Sequence, residues 1–179
     1  MLVEHGCYRA PARTSKRMDS AMKLLASSLA QAAPNVGRID FNQLRPLGMS
    51  LELAQIMIDF VSQHRDEIEP SQRPMRVTRV HRDRVDVHDG VSESGAQVLA
   101  SLTRSMLQSA RAIAVGDWVF VRGTQDQWIT HVVPAVNHIM RRDGDGWRHA
   151  VASNIDTALL VMGLDLDFNL RRLERYLAL

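Results

Sequence analysis

The sequence predicts a mostly β fold, in which a small five-stranded barrel follows helices and precedes a β-α unit. Five short segments between residues 75 and 134 alternate apolar with polar residues, the period of two that is typical of strands. Turn residues separate these segments, namely Asp89-Gly90, Gly116-Asp117 and Gly123. Such evenly spaced short strands are typical of a closed or nearly closed barrel.

Composition bounds the classes of protein to which the chain can belong. With 179 residues, 45% of them hydrophobic, the chain is long enough for one ordinary domain with extensions. Cys7 is the only cysteine, which excludes an intrachain disulfide and a cysteine-based zinc site built from this chain, and fits a cytoplasmic location. The longest apolar runs are far shorter than the roughly 20 residues of a membrane-spanning helix. We therefore expect no membrane partner.

The basic residues favour an anionic partner. The net charge is only +2, but the pI is about 9.1 and nearly all of the 22 Lys and Arg residues are Arg, whose guanidinium group suits phosphate. A solvated basic surface without a partner is the alternative interpretation.

Two helical segments precede the barrel. Residues 1–45 form a basic leader in which Met18, Met22, Leu25 and Leu29 recur at helical spacing, and we assign this leader no chemistry. Residues 46–70 are the second segment, with a helix predicted over 50–64. Its signals are Ser50 as N-cap, Glu52 in the first turn, and one apolar face made of Leu51, Ala54, Ile58 and Val61.

The barrel is assigned to residues 71–149. Its predicted strands are the segments "RVTRV", "RVDVHDG", "AQVLASL", "DWVFVRG" and "WITHVVP". Pro70 and Pro74 mark its N-terminal boundary, and residues 103–112 are expected to form a short helix or a loop between strands.

Residues 150–179 have a different pattern. The nearly continuous apolar run over residues 158–164 predicts a strand buried on both faces, as in a parallel sheet, and Leu170, Leu173 and Leu177 lie on one face of a helix that follows it. This segment is interpreted as the first β-α unit of a truncated α/β domain. Without sheet neighbours, its apolar side chains forgo on the order of 10 kcal/mol of burial. We expect it to pack onto the barrel or onto the 50–64 helix, or to be mobile.

Several blocks carry a family resemblance. "VHRDRVDVHDG", "VGDWVFVR", "VASNIDTALLV" and "LDLDFNLRRLERYLAL" resemble consecutive blocks of the bacterial ribosome small-subunit-dependent GTPase family, RsgA, over roughly residues 75–179. One departure is that Pro134 is followed by Ala135 and Val136, where family members commonly carry arginines. Arg141 and Arg142 lie farther along the chain.

The resemblance implies an OB-like barrel followed by a circularly permuted GTPase domain. It also implies a cytoplasmic, monomeric factor that binds the rRNA of the small ribosomal subunit during late maturation. Full-length relatives are expected to use GTP, Mg and Zn. We expect none of these to be retained here, because the sequence contains neither G-x-x-x-x-G-K-[ST] nor Asn-Lys-x-Asp. Its only Asp-x-x-Gly, Asp143 to Gly146, lies in a predicted turn.

The segment "HRDRVDVHDG" contains residue types that suit a catalytic or metal site. A kinase-type catalytic loop is excluded, because the required Asn is missing and Val85 and Val87 alternate as in a strand. Asp86 and His88 lie two residues apart on one strand face and could bind a metal, but a polar outer face is the favoured interpretation. No catalytic, cofactor-binding or metal-binding residue is therefore assigned.

Arginines and exposed aromatic residues are the candidates for RNA contact. Residues 71–149 contain eleven Arg against eight Asp and Glu, a mildly basic balance. Trp118 is interpreted as a core residue, whereas Trp147 is a further possible stacking platform. The predicted nucleic-acid-binding residues are Arg79, Arg82, Arg84, Arg122, Trp128, Arg141, Arg142 and Arg148.

Two functions from different classes fit these observations. The first is the N-terminal fragment of a ribosome-biogenesis GTPase that binds small-subunit rRNA, with GTP hydrolysis performed by a missing C-terminal part. The second is a stand-alone OB-fold module that binds RNA or protein without a nucleotide cycle. An enzyme that uses the His/Asp cluster is a third and weaker reading.

Overall fold

The structure, a computed structural model, describes Ser20, Gly144, Gly146 and Gly163 together with residues 39–109, 111–142, 148–161 and 169–177. The chain divides between Pro70 and Ser71 into two compact units. The helical stripe predicted for the basic leader lies outside the described residues.

The first unit contains two helices, α1 (Phe41–Leu44) and α2 (Leu51–Gln63), with a 3₁₀ turn (Arg45–Leu47) between them. The predicted helix over 50–64 is confirmed, since the Ser50 hydroxyl accepts a hydrogen bond from the Leu53 N–H at 3.1 Å. Ala54, Ile58 and Val61 are buried as expected. Leu51 is exposed instead, because the first helical position lies at the edge of the buried stripe.

The second unit contains the predicted five-stranded barrel, which is confirmed. The strands are β1 (Arg73–Val80), β2 (Val85–His88), β3 (Glu93–Val98), β4 (Trp118–Arg122) and β5 (Trp128–Val132). They close in the order β1-β2-β3-β5-β4. All the pairings are antiparallel except that of β3 with β5, which is parallel.

Alternate residues of the strands fill the barrel. The enclosed core is apolar and consists of Met75, Val77, Val85, Val87, Ala96, Val119, Val121 and Ile129. Residues between these positions face outward, which places Asp86, Gln97 and Trp128 on the outer surface. Trp118 is fully buried, which confirms its interpretation as a core residue.

The third strand lies earlier in the sequence than predicted. It spans Glu93–Val98 rather than 96–102, and the residues that follow form the helix α3 (Ala100–Gln108). Pairing with β2 brings Ser94 and Gly95 into the strand although neither residue favours strands, because tertiary pairing overrides weak local preference.

A hairpin that the sequence did not predict follows the barrel. Strands β6 (His138–Arg142) and β7 (Arg148–Ser153) form a separate two-stranded sheet. Asn154 fastens it to the barrel, since its side chain donates to the Gly116 carbonyl at 3.0 Å and its own carbonyl accepts from Arg76 at 2.9 Å. Gly116 has φ +91°, and a Cβ there would lie 2.1 Å from the Ser153 carbonyl oxygen.

The last described segment is only partly as predicted. A helix, α4 (Leu170–Leu177), is present. The strand expected over 158–164 is not formed by the described residues 158–161 and 163, and Leu159 and Val161 are 86% and 80% exposed. An apolar run indicates that burial is favourable, but a strand also requires a partner edge. Among the described residues, no helix has the length and apolar character needed to cross a membrane.

Candidate nucleic-acid interface

The tight β1–β2 loop, residues 81–84, presents basic side chains at one end of the barrel. The loop is closed by a hydrogen bond from the His81 N–H to the Arg84 carbonyl, at 2.9 Å. Arg82 and Arg84 are exposed on it. In OB folds, this loop, the β4–β5 loop and the outer face of strands 2 and 3 are the parts that bind oligonucleotides.

Asp86 lies at the centre of the basic side chains around this loop. Its carboxylate is 2.8 Å from the His81 ring, 3.7 Å from Arg84 and 3.9 Å from Arg79. The hydrogen bond with His81 lowers the pKa of Asp86, and the charges of His81, Arg84 and Arg79 lower it further against the opposing effect of burial. The carboxylate is therefore ionised at neutral pH, and it holds two arginines and a histidine on one side of the barrel.

Arg122 and Trp128 flank the β4–β5 loop, residues 123–127, and are cross-strand partners. On its other side Trp128 is paired with Gln97 of β3. Trp128 is half-buried, so part of its indole ring faces solvent. The loop begins at Gly123, whose φ of +89° allows the tight turn. It ends at Gln127, whose side chain accepts a hydrogen bond from the Ser94 hydroxyl at 2.7 Å.

The outer face of the sheet connects these two loops. Asp86 is opposite Gly95, and Gln97, two residues farther along β3, is opposite Trp128. Gly95 has no side chain, so nothing at this position covers the neighbouring Arg84 and Asp86. A Cβ there would contact Arg84 Cδ and Asp86 at 3.8 Å. The face can thus offer guanidinium groups at one side and an indole ring at the other, the combination that binds single-stranded nucleic acid.

The remaining three predicted residues lie apart from this face. Arg141, Arg142 and Arg148 are exposed on the β6–β7 hairpin, where Arg142 is opposite Arg148 and Arg141 is opposite His149. Like charges directly opposite one another destabilise a strand pair, so an anion bound there would relieve this repulsion. Asp143 and Asp145 are close in sequence, but these residues and Trp147 lie outside the described part of the chain.

A groove of about 410 Å³ lies beside the β1–β2 loop. Its walls combine arginines with apolar side chains, among them Arg82, Arg84, Arg111, Val80, Met106 and Ile113. Sequence reasoning missed Arg111, which is exposed near the end of α3. A basic residue near the end of the segment predicted as a helix or loop, residues 103–112, was the only available signal.

The His/Asp segment forms a polar outer face. Asp86 is engaged by His81, and the His88 ring accepts a hydrogen bond from the Gly90 N–H at 2.9 Å. Within the described ranges, no three His, Cys, Asp or Glu side chains come together as potential metal ligands.

The sequence can be compared with those of known proteins. Over 113 residues, 62% of the chain, the sequence is 39% identical to the small ribosomal subunit biogenesis GTPase RsgA of Xanthomonas oryzae pv. oryzae strain PXO99A. The chain is similar to RsgA. The same values hold for the RsgA proteins of Xanthomonas campestris pv. campestris strain B100 and Xanthomonas axonopodis pv. citri strain 306.

These matches confirm the resemblance predicted from the sequence. The aligned segment spans 30% of the length of the RsgA relatives. No family model matches the chain.

Proposed function

We propose that this chain binds the rRNA of the small ribosomal subunit through the basic face of its barrel, as the RNA-binding part of a ribosome-biogenesis GTPase. The observation that carries the proposal is the placement of Arg79, Arg82, Arg84, Arg122 and Trp128. These five residues lie on the β1–β2 loop, beside the β4–β5 loop and on the outer sheet face of a closed OB-like barrel. The similarity to RsgA supplies the kind of RNA.

GTP hydrolysis is assigned to the part of the RsgA relatives that this chain does not cover. The barrel then serves to place the GTPase on its RNA, and the protein works in the cytoplasm, where ribosomal subunits mature. The β6–β7 hairpin would provide a second contact through Arg141, Arg142 and Arg148, because its facing arginines favour a phosphate between them.

Binding to purified small ribosomal subunits across a salt series tests this proposal. Each phosphate contact contributes about −0.7 to −0.9 to the slope of log affinity against log salt. The double variant Arg82→Gln/Arg84→Gln should bind about tenfold more weakly at moderate salt, and its salt slope should be shallower by roughly 1.4 to 1.8.

The matched control is Arg171→Gln/Arg172→Gln on α4, which removes the same charge from exposed positions outside the barrel strands and their loops. It should retain most of the affinity and the original slope. The proposal is wrong if wild-type binding is indifferent to salt, or if both double variants lose affinity equally.

A further inference from the structure

We infer that Asp86 is a positioning residue that holds Arg79, His81 and Arg84 in the arrangement that receives an RNA phosphate. The inference rests on the proposed RNA-binding function and deepens it. It assigns an acidic side chain a favourable role in binding a polyanion, the opposite of what its charge alone would predict.

The depths of the charged groups support this role. The Asp86 side chain is only 12% exposed, whereas those of Arg79 and Arg84 are 67% and 61% exposed. The carboxylate thus lies beneath the cations rather than beside them. Its separations from the two guanidinium groups, 3.9 and 3.7 Å, are those of ion pairs that engage one nitrogen of each group. Most of the guanidinium donors therefore remain free to face a phosphate.

A backbone irregularity brings these groups together. The register of β1 against β2 shifts between Val77, which is opposite Val87, and Arg79, which is opposite Asp86. Thr78 is the extra residue, and its hydroxyl lies 2.5 Å from a Glu93 carboxylate oxygen and 3.2 Å from the Asp86 carbonyl. Strict alternation from buried Val77 would turn Arg79 toward the barrel interior. The bulge turns it outward instead, a use of bulges that is common beside binding sites.

Two effects of Asp86 oppose each other during RNA binding. Its negative charge repels phosphate, but the two exposed guanidinium groups outnumber it, so the cluster keeps a net positive charge. Its contacts restrict long side chains before RNA arrives, and each side chain that does not have to be immobilised on binding gains about two- to tenfold in affinity. Because two arginines and the His81 ring are held, the second effect should exceed the first.

A comparison of two variants with the same change in charge tests the inference. Asp86→Asn and Asp83→Asn each remove one negative charge close to the β1–β2 loop. In the described part of the chain, Asp83 is exposed and no hydrogen bond or ion pair engages it. Binding of the full chain to small ribosomal subunits should weaken about three- to tenfold for Asp86→Asn and strengthen slightly for Asp83→Asn.

The same Asp86→Asn change in a chain that lacks Arg79 and Arg84 separates positioning of these arginines from a general effect of Asp86 on the fold. In an Arg79→Gln/Arg84→Gln chain only His81 remains to be positioned, so Asp86→Asn should weaken binding much less than in the wild-type chain. Circular dichroism would monitor folding of every variant. If Asp86→Asn does not fold, Asp86→Glu against Asp83→Glu gives the same contrast, because it moves the carboxylate by one methylene and keeps its charge.

The outcomes distinguish this inference from the proposal on which it rests. Absence of wild-type binding would contradict RNA binding itself. Wild-type binding together with equal strengthening by Asp86→Asn and Asp83→Asn would overturn only the positioning role. Equal weakening by Asp86→Asn with and without the two arginines would also overturn it.

Discussion

At the scale of single residues, the barrel face depends on how a few polar side chains are held. Asp86 is held from three directions, by His81, Arg79 and Arg84. Asp89 is a second example: burial opposes its ionisation, but hydrogen bonds from the Ser92 and Val91 N–H groups and the charge of Arg73 lower its pKa. Both carboxylates are ionised acceptors at neutral pH. Charge-assisted contacts therefore hold the two loops that flank β2, one before Val85 and one after His88.

Protonation of Asp86 should weaken the folded state. Because its pKa is lowered by folding, its contribution to stability is fully present above the ordinary Asp value of about 3.9 and is lost as pH falls through the lowered value. His81→Gln removes the largest cause of the shift, so we expect the pKa of Asp86 to rise in this variant. Carbon-13 NMR titration of the carboxyl group measures both values. An Asp86 that titrates near 3.9 in the wild type, or that does not respond to His81→Gln, would contradict this account.

At the scale of elements, the β6–β7 hairpin depends on a close backbone approach. The Ser153 N–H donates to the Val115 carbonyl at 2.8 Å, and the Asn154 side chain bonds to Gly116 and to the Val136 N–H at 3.0 and 2.9 Å. Asn154 itself has φ 54°, a conformation that Asn tolerates better than most residues. The hairpin is therefore fastened at its base, while the end that carries its arginines extends away from these contacts.

Gly116→Ala should detach or distort this base. The added Cβ would meet the Ser153 carbonyl oxygen at 2.1 Å and impose a strained φ, which together should cost roughly 1 to 3 kcal/mol or more. Gly144→Ala is the control, since a Cβ there meets nothing within 4 Å. Urea unfolding gives the two stabilities, and amide hydrogen exchange shows whether β7 is affected before the barrel. If the Gly116→Ala protein is as stable as the Gly144→Ala protein, the backbones at Gly116 and Ser153 are not in close contact in solution.

The elements differ in how well the sequence predicts them. Helix α2 has its signals within its own residues, a Ser50 cap and an apolar stripe, and was predicted to within one residue at each end. The barrel strands were predicted from alternation because apolar residues that face the barrel interior recur at every second position along them. The β6–β7 hairpin shows no such alternation, since residues on both of its faces are exposed, among them Met140, Arg141 and Val151.

The candidate site was predictable in part. Arginines and Trp128 could be named as candidates because strand ends and loops are exposed. The role of Asp86 could not be predicted, because it depends on the bulge between Val77 and Arg79 and on the loop fold that returns His81 to the strand. Both are pairing details that residue types alone do not determine.

At the scale of the whole molecule, buried and exposed apolar segments of similar composition behave differently. Residues 119–121 of β4 are buried on both faces, and they pair with β1 and β5. The similarly apolar residues 159–161 have exposed side chains and no strand partner among the described residues. Burial here is determined by available neighbours rather than by composition.

The same substitution should therefore have different effects in the two segments. Val121→Thr places a hydroxyl in the barrel core and should cost about 1 to 3 kcal/mol, whereas Val161→Thr should change stability by less than about 0.5 kcal/mol. Chemical unfolding followed by tryptophan fluorescence measures both. A comparable loss for Val161→Thr would indicate that this segment is buried in solution.

The parallel contact between β3 and β5 has a consequence for how the barrel opens. The register joins them only through Gln97 with Trp128 and Val98 with Ile129, and these partners lie far apart in the sequence. The other four seams connect four residue pairs each, and three of them join strands that are consecutive in the chain. The β3–β5 seam therefore has the fewest paired residues in the barrel, and the ring should open first along it. Trp128 is one of these paired residues, so its fluorescence emission should report this opening.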